Sequence, residues 1–131
     1  MKVFIVDNSG VVRERLKTML AEIEEVEMVG AAEEAVAALS SIGKVRPDAV
    51  ILDIRLPGKT NGIHLLEKLK KNGNGPVAII LTNYPYPQYR QKCLQAGADF
   101  FFDKSTEFQE VAEVLRKLTR RSRRVRNGEK E

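Results

Sequence analysis

The chain has 131 residues, 43% of them hydrophobic, which suits the core of one domain and leaves no room for a second of ordinary size. Its single cysteine excludes an intrachain disulfide and a cysteine zinc cluster, and no run approaches the roughly 20 apolar residues needed to span a bilayer. The net charge of +4 sits at one end: residues 119–131 hold Arg120, Arg121, Arg123, Arg124, Arg126 and Lys130 against Glu129 and Glu131, while the remainder is balanced. That argues against a broad nucleic-acid face on the folded part.

The first strand is predicted at Val3–Val6, ending in Asp7. This apolar run is too short for a secretory signal, so a cytoplasmic location is expected. A helix follows, with Val11, Val12, Leu16, Met19, Leu20 and Ile23 at three- and four-residue spacing. Val26–Ala32 reads as a weaker strand, and Glu33–Ile42 as an Ala-rich helix that Gly43 would stop. Asp48–Asp53 is the third strand, followed by a loop with Pro57, Gly58 and Gly62 and a helix carrying Ile63, Leu65, Leu66 and Leu69. A turn is expected over 72–76, then a strand over Val77–Thr82 and a helix over Gln88–Ala96 ended by Gly97. Asp99–Asp103 is the fifth strand, and Thr106 would cap a last helix from about Glu107 to Leu118.

Strand and helix alternate five times, and most strands are continuous apolar runs, as expected where helices cover both faces. The predicted fold is therefore α/β: a doubly wound, five-stranded parallel sheet with five helices. Ligands in such sheets bind at the carboxyl ends of the strands, beside a reversal of strand order. Asp7, Asp53, Thr82 and Lys104 all lie at or just past strand ends and should converge there. Clustered carboxylates favour a hard cation with oxygen ligands and open water positions, for which Mg²⁺ is suited. A carboxylate so placed can act as nucleophile towards phosphorus, with Lys104 and Thr82 supplying positive charge and a hydroxyl donor.

Four fragments in order carry a family resemblance: Val3–Asn8, Val50–Pro57, Ile79–Thr82 and Gly97–Lys104. Over residues 1–118 the sequence resembles a response-regulator receiver domain of two-component phosphorelay signalling, with its flavodoxin-like fold. The resemblance implies that Asp53 is the phosphoacceptor and that Lys104 and Thr82 assist the transfer. It implies Mg²⁺ ligation by Asp7, Asn8, Asp53 and the backbone carbonyl of Arg55, and a switch made of Thr82 and Phe101. It further implies a sensor histidine kinase or histidine phosphotransfer protein upstream, and a downstream protein or a second copy on the switch face. Such a domain catalyses its own phosphorylation and slow dephosphorylation and is not a dedicated enzyme.

The sequence departs from the family at four places. Asn8 stands where a second acidic ligand is usual, which predicts weaker Mg²⁺ binding. The spacing from Pro57 to Gly62 is one residue longer than usual, Asn83 follows the switch threonine where a small residue is common, and Ser105 replaces the proline after the lysine. Two other functions compete. A phosphatase of the haloacid-dehalogenase type needs an aspartate two residues after the nucleophile, where this chain has Arg55. A phosphorylation-independent binding module is favoured by Asn8 and Asn83. Residues 119–131 are expected to be a basic, disordered tail, the one place where nucleic-acid contact is entertained. Tyr84–Pro87 is a candidate recognition loop, Cys93 reads as a buried apolar residue, and His64 is given no role.

Overall fold

The computed structural model describes residues 1–73 and 75–128. Five strands, β1 (Lys2–Val6), β2 (Glu27–Ala32), β3 (Ala49–Leu52), β4 (Val77–Thr82) and β5 (Phe100–Asp103), alternate with helices α1 (Gly10–Ala21), α2 (Ala35–Val45), α3 (Gly62–Leu69), α4 (Pro87–Gln95) and α5 (Glu110–Arg126). All strand pairs are parallel, in the order β2-β1-β3-β4-β5. The chain runs outward from β1 to β2 and then crosses back to β3, so strand order reverses between β1 and β3. The expected fold is the observed one.

Side-chain alternation along each strand divides the core into two layers. Val3 and Ile5 of β1, Ala49 and Ile51 of β3, and Ile79 and Leu81 of β4 pack with Leu16 and Leu20 of α1 and with Val111, Ala112 and Leu115 of α5. On the other face, Phe4, Val6, Val50, Leu52, Ala78 and Ile80 pack with Ala38 and Ile42 of α2, Leu65 and Leu66 of α3, and Cys93 of α4. Burial pushes the Cys93 thiol up to about 11, so it behaves as the expected small apolar residue.

Several boundaries differ from the sequence expectations. Gly43 does not stop α2: the helix continues to Val45 and ends at Arg46, which adopts a left-handed conformation with φ of 48° just before Pro47. A proline disfavours the helical region for the residue before it, so Pro47 sets the end and Arg46 takes the strained position. Thr106 does not cap the last helix, which starts at Glu110 with Gln109 as an N-cap lacking a side-chain bond. Residues 103–107 instead close their own turn: Ser105 N–H and hydroxyl both donate to Asp103 Oδ1, and Asp103 N–H donates to Glu107 Oε1. The Ser105 side-chain hydrogen bond most of all, and then its N–H, hold the Asp103 carboxyl below its usual value.

The last helix extends into the segment where a tail was expected. Helix α5 runs past Leu118 to Arg126, with Arg123 and Arg126 reaching Glu25 Oε2 at 3.3 and 3.4 Å. Asn74 of the expected 72–76 turn and residues 129–131 of the expected tail lie outside the described residues. No helix among the described residues is long and apolar enough to cross a membrane.

Candidate functional site

The ends of β1, β3 and β4 are levelled by the ladder itself. Asp53 N–H donates to the Val6 carbonyl at 3.0 Å, Asp7 N–H to the Ala32 carbonyl at 3.1 Å, and Lys104 N–H to the Thr82 carbonyl at 2.8 Å. Each bond carries a strand pairing one residue past the end of its strand. The side chains that follow therefore emerge together at the edge where strand order reverses.

Among the described residues, five polar or charged ones are buried, and Asp7, Asp53, Thr82 and Lys104 are four of them. Lys104 Nζ donates to Asp7 Oδ2 at 2.8 Å and to Asp53 Oδ2 at 2.9 Å. Residues 97 and 51 positions apart in sequence thus form one buried triad. Burial alone would push the Lys104 ammonium down. The hydrogen bonds to Asp7 and Asp53 and their two negative charges outweigh it and hold Lys104 above its ordinary value of 10.5.

The four carboxylate oxygens are not equivalent. Asp7 Oδ1 accepts the Ser9 N–H at 2.9 Å, and the two Oδ2 atoms share Lys104. Asp53 Oδ1 is buried and has no hydrogen-bond partner. A buried anionic oxygen without a partner is costly, and a cation or donor placed there would satisfy it.

Thr82 Oγ1 accepts the Tyr84 N–H at 3.0 Å, which ties the hydroxyl oxygen to the loop before α4 and leaves its hydrogen free to donate. Phe101 pairs with Ile80 in the ladder and is buried in the layer of α2, α3 and α4. The Arg90 guanidinium lies 5.5 Å from its ring centroid and donates to its carbonyl. Asn8 and Arg55 follow Asp7 and Asp53 by one and two residues, and both are exposed. The structure thus brings Asp7, Asp53 and Lys104 into contact, sets Thr82 beside Lys104 through the backbone, and leaves the side chains of Asn8 and Arg55 at the rim.

Three features were not legible in the sequence. Gly62, read only as a loop residue, opens α3 directly against the segment bearing Asp53. A Cβ on Gly62 would lie 2.0 Å from the Asp53 carbonyl oxygen, and its N–H donates to the Ile54 carbonyl at 2.8 Å. The Arg55 guanidinium stacks over the Tyr84 ring at 4.1 Å, joining the two loops that flank the site. The peptide bond between Lys104 and Ser105 is trans, as are all peptide bonds among the described residues. In the loop Tyr84–Pro87, Pro87 is the first residue of α4 and Tyr86 its N-cap, so these residues shape a helix start.

Among the described residues, no group of three or more histidine, cysteine or acidic side chains could hold a metal ion. What the site offers is two carboxylates, a neutral amide at Asn8 and the carbonyl of Arg55. With water completing the shell, such an oxygen set fits a hard, hydrated cation such as Mg²⁺, and the unpartnered Asp53 Oδ1 is an open acceptor for it.

Comparison with known proteins agrees with this arrangement. Residues 3–116 match the response regulator receiver domain. YvfU of Bacillus subtilis, described as an uncharacterized transcriptional regulatory protein, is 30% identical over 94% of this chain and 61% of its own length. The response regulator domain of Thermotoga maritima CheB superposes with a TM-score of 0.78 at 26% identity, covering 92% of this chain and 94% of that one. A Borrelia burgdorferi CheX-CheY-BeF3-Mg²⁺ complex contains a chain that matches with a TM-score of 0.75 at 25% identity, over 88% of this chain and 89% of that one. The chain spans about half the length of the curated relatives it matches. The match over residues 3–116, the sheet topology and the buried triad lead to one assignment: the chain belongs to the response regulator receiver domain family.

Proposed function

We propose that Asp53 accepts a phosphoryl group from a phosphohistidine donor or a small phosphodonor, and that the resulting charge change switches the surface around α4, β5 and α5. Phosphorylation-driven switching is the function expected of the receiver family. The single observation that carries the assignment to Asp53 is its buried Oδ1, unpartnered beside a lysine already bridging two carboxylates. In the transfer, an Asp53 oxygen bonds to phosphorus as the donor's P–N or P–O bond breaks. The imidazole or carboxylate leaving group takes the electron pair, and the product is an acyl phosphate.

Mg²⁺, when bound by Asp7, Asn8, Asp53 and the Arg55 carbonyl, would neutralise charge on the phosphoryl oxygens. Lys104 holds the Asp53 carboxylate in place and offers an ammonium to an equatorial phosphoryl oxygen. Thr82 can donate its free hydrogen to another. Moving inward would cost Thr82 the Tyr84 N–H, so the loop before α4 must respond. Phe101 lies two residues before Asp103, the Thr82 partner in the ladder, and would follow in the switch. A second reading, a binding module that works without phosphorylation, rests on Asn8 and the absence of a three-carboxylate cluster among the described residues.

The test is intact mass spectrometry after incubation with Mg²⁺ and acetyl phosphate, and with a phosphorylated histidine kinase, beside Asp53→Asn. A Mg²⁺-dependent phosphoryl adduct that disappears in the variant is the expected result. An adduct that persists in Asp53→Asn would remove Asp53 as acceptor. No adduct from either donor would favour the constitutive module.

A further inference from the structure

Asn8 is the neutral member of the set that faces the cation, and a neutral amide depends on its aim. A carboxylate draws a cation by net charge, whereas an amide oxygen does so only when its dipole points at the ion. The direction in which Asn8 leaves the backbone is set by the two planar peptide groups that flank it. In the first, the Asp7 carbonyl accepts a hydrogen bond from Arg13 Nη1 at 2.7 Å. In the second, the Ser9 N–H donates to Asp7 Oδ1 at 2.9 Å. Ser9 is itself anchored as the N-cap of α1, its hydroxyl accepting the Val12 N–H at 3.3 Å and its carbonyl the Arg13 N–H at 3.0 Å. Arg13 Nη2 meets Glu33 Oε1 at 3.0 Å. Glu33 directly follows Ala32, whose carbonyl takes the Asp7 N–H. One guanidinium fork thus ties the Asp7–Asn8 peptide to the end of β2.

We propose that Arg13 is a positioning residue for the cation site: by fixing the Asp7 carbonyl it sets the Asp7–Asn8 peptide plane and so aims the Asn8 amide. This role rests on the Mg²⁺ site proposed above and adds to it a residue outside the ligand set. The charge of Arg13 works in the other direction. A guanidinium close to Asp7 and Asp53 repels a divalent cation, so on charge alone its removal would strengthen Mg²⁺ binding. Orientation and charge therefore predict opposite signs for the same substitution. The bond to the Asp7 carbonyl is the one that matters. The Arg13 side chain is 22% exposed, whereas that of Glu33 is 66% exposed, which makes the outer ion pair of small value.

The experiment titrates MgCl₂ at constant ionic strength into the isotope-labelled full chain and follows backbone amide NMR shifts. The spectra give the Mg²⁺ dissociation constant and show that each variant is folded. Arg13→Met should weaken Mg²⁺ binding about tenfold, as is typical when a group that orients a metal ligand is removed. Arg15→Met removes the same charge from α1 beside Phe108 and should change the affinity by less than about twofold, since exposed charges are screened. In an Asn8→Asp background, Arg13→Met should likewise cost less than about twofold, because a carboxylate is drawn to the cation by charge. With acetyl phosphate, the half-saturating Mg²⁺ concentration should rise in Arg13→Met while the rate at saturating Mg²⁺ stays near that of the parent. Unchanged or tighter Mg²⁺ binding by Arg13→Met, an equal loss in the Asn8→Asp background, or a saturated rate that falls as far as the affinity would each overturn the role of Arg13 alone. No Mg²⁺-dependent shift in the parent would overturn the Mg²⁺ site and this role with it.

Discussion

Lys104 is the residue on which the site's electrostatics turn. It neutralises two buried carboxylates, so its loss leaves them uncompensated at the sheet edge. Lys104→Met should cost about 3–5 kcal/mol of stability at neutral pH, measured by urea unfolding. The pH dependence has a definite sign. The folded-state value of Lys104 is raised, so its contribution is fully present below the ordinary 10.5 and is lost as pH climbs through the folded value. The gap between parent and Lys104→Met should therefore be constant from pH 7 to 9 and narrow above about 10.5; a gap unchanged at pH 11.5 would contradict the assignment. Asn8 supplies the second residue-scale prediction. Asn8→Asp adds a third carboxylate and should lower the Mg²⁺ concentration giving half-maximal phosphorylation by several-fold. An unchanged or higher requirement would mean that position 8 does not face the metal.

At the scale of elements, two glycines separate position from composition. Gly62 is where α3 meets the Asp53 segment, and a Cβ there would lie 2.0 Å from a carbonyl oxygen. Backbone cannot yield as a flexible side chain would, so Gly62→Ala should cost about 3 kcal/mol and slow phosphorylation by moving Asp53. Gly43 sits inside α2, where a Cβ would meet nothing within 4 Å. Gly43→Ala should stabilise by about 0.5–1 kcal/mol, because alanine loses less conformational freedom in a helix. Thermal unfolding of the two variants should shift in opposite directions. In the sequence both positions read alike, as punctuation. Only the packing of α3 against the segment that follows β3 made one of them a contact point and left the other a tolerated helical residue.

For the molecule as a whole, the sheet core and the arginine-bearing end of α5 are separable. Residues 120–128 are exposed, and the bonds from Arg123 and Arg126 to Glu25 are surface ion pairs of small value. Truncation after Thr119 should leave Tm within a few degrees of the parent and leave phosphorylation by acetyl phosphate intact. A large loss of stability on truncation would show that the extension is part of the core.

The strand and helix order, the parallel sheet and the convergence of Asp7, Asp53, Thr82 and Lys104 were all determined by the sequence alone, because apolar periodicity and strand ends are local properties. Helix termini were read less well. Gly43, Thr106 and Leu118 each suggested a boundary, and each was overruled by a neighbour: Pro47, the turn closed around Asp103, and the unbroken helical run past Thr119. Which carboxylate oxygen is left unpartnered, which glycine touches Asp53 and which arginines reach Glu25 depended on contacts between segments far apart in sequence. Those contacts arise from close packing of elements, and no local pattern of residues encodes them.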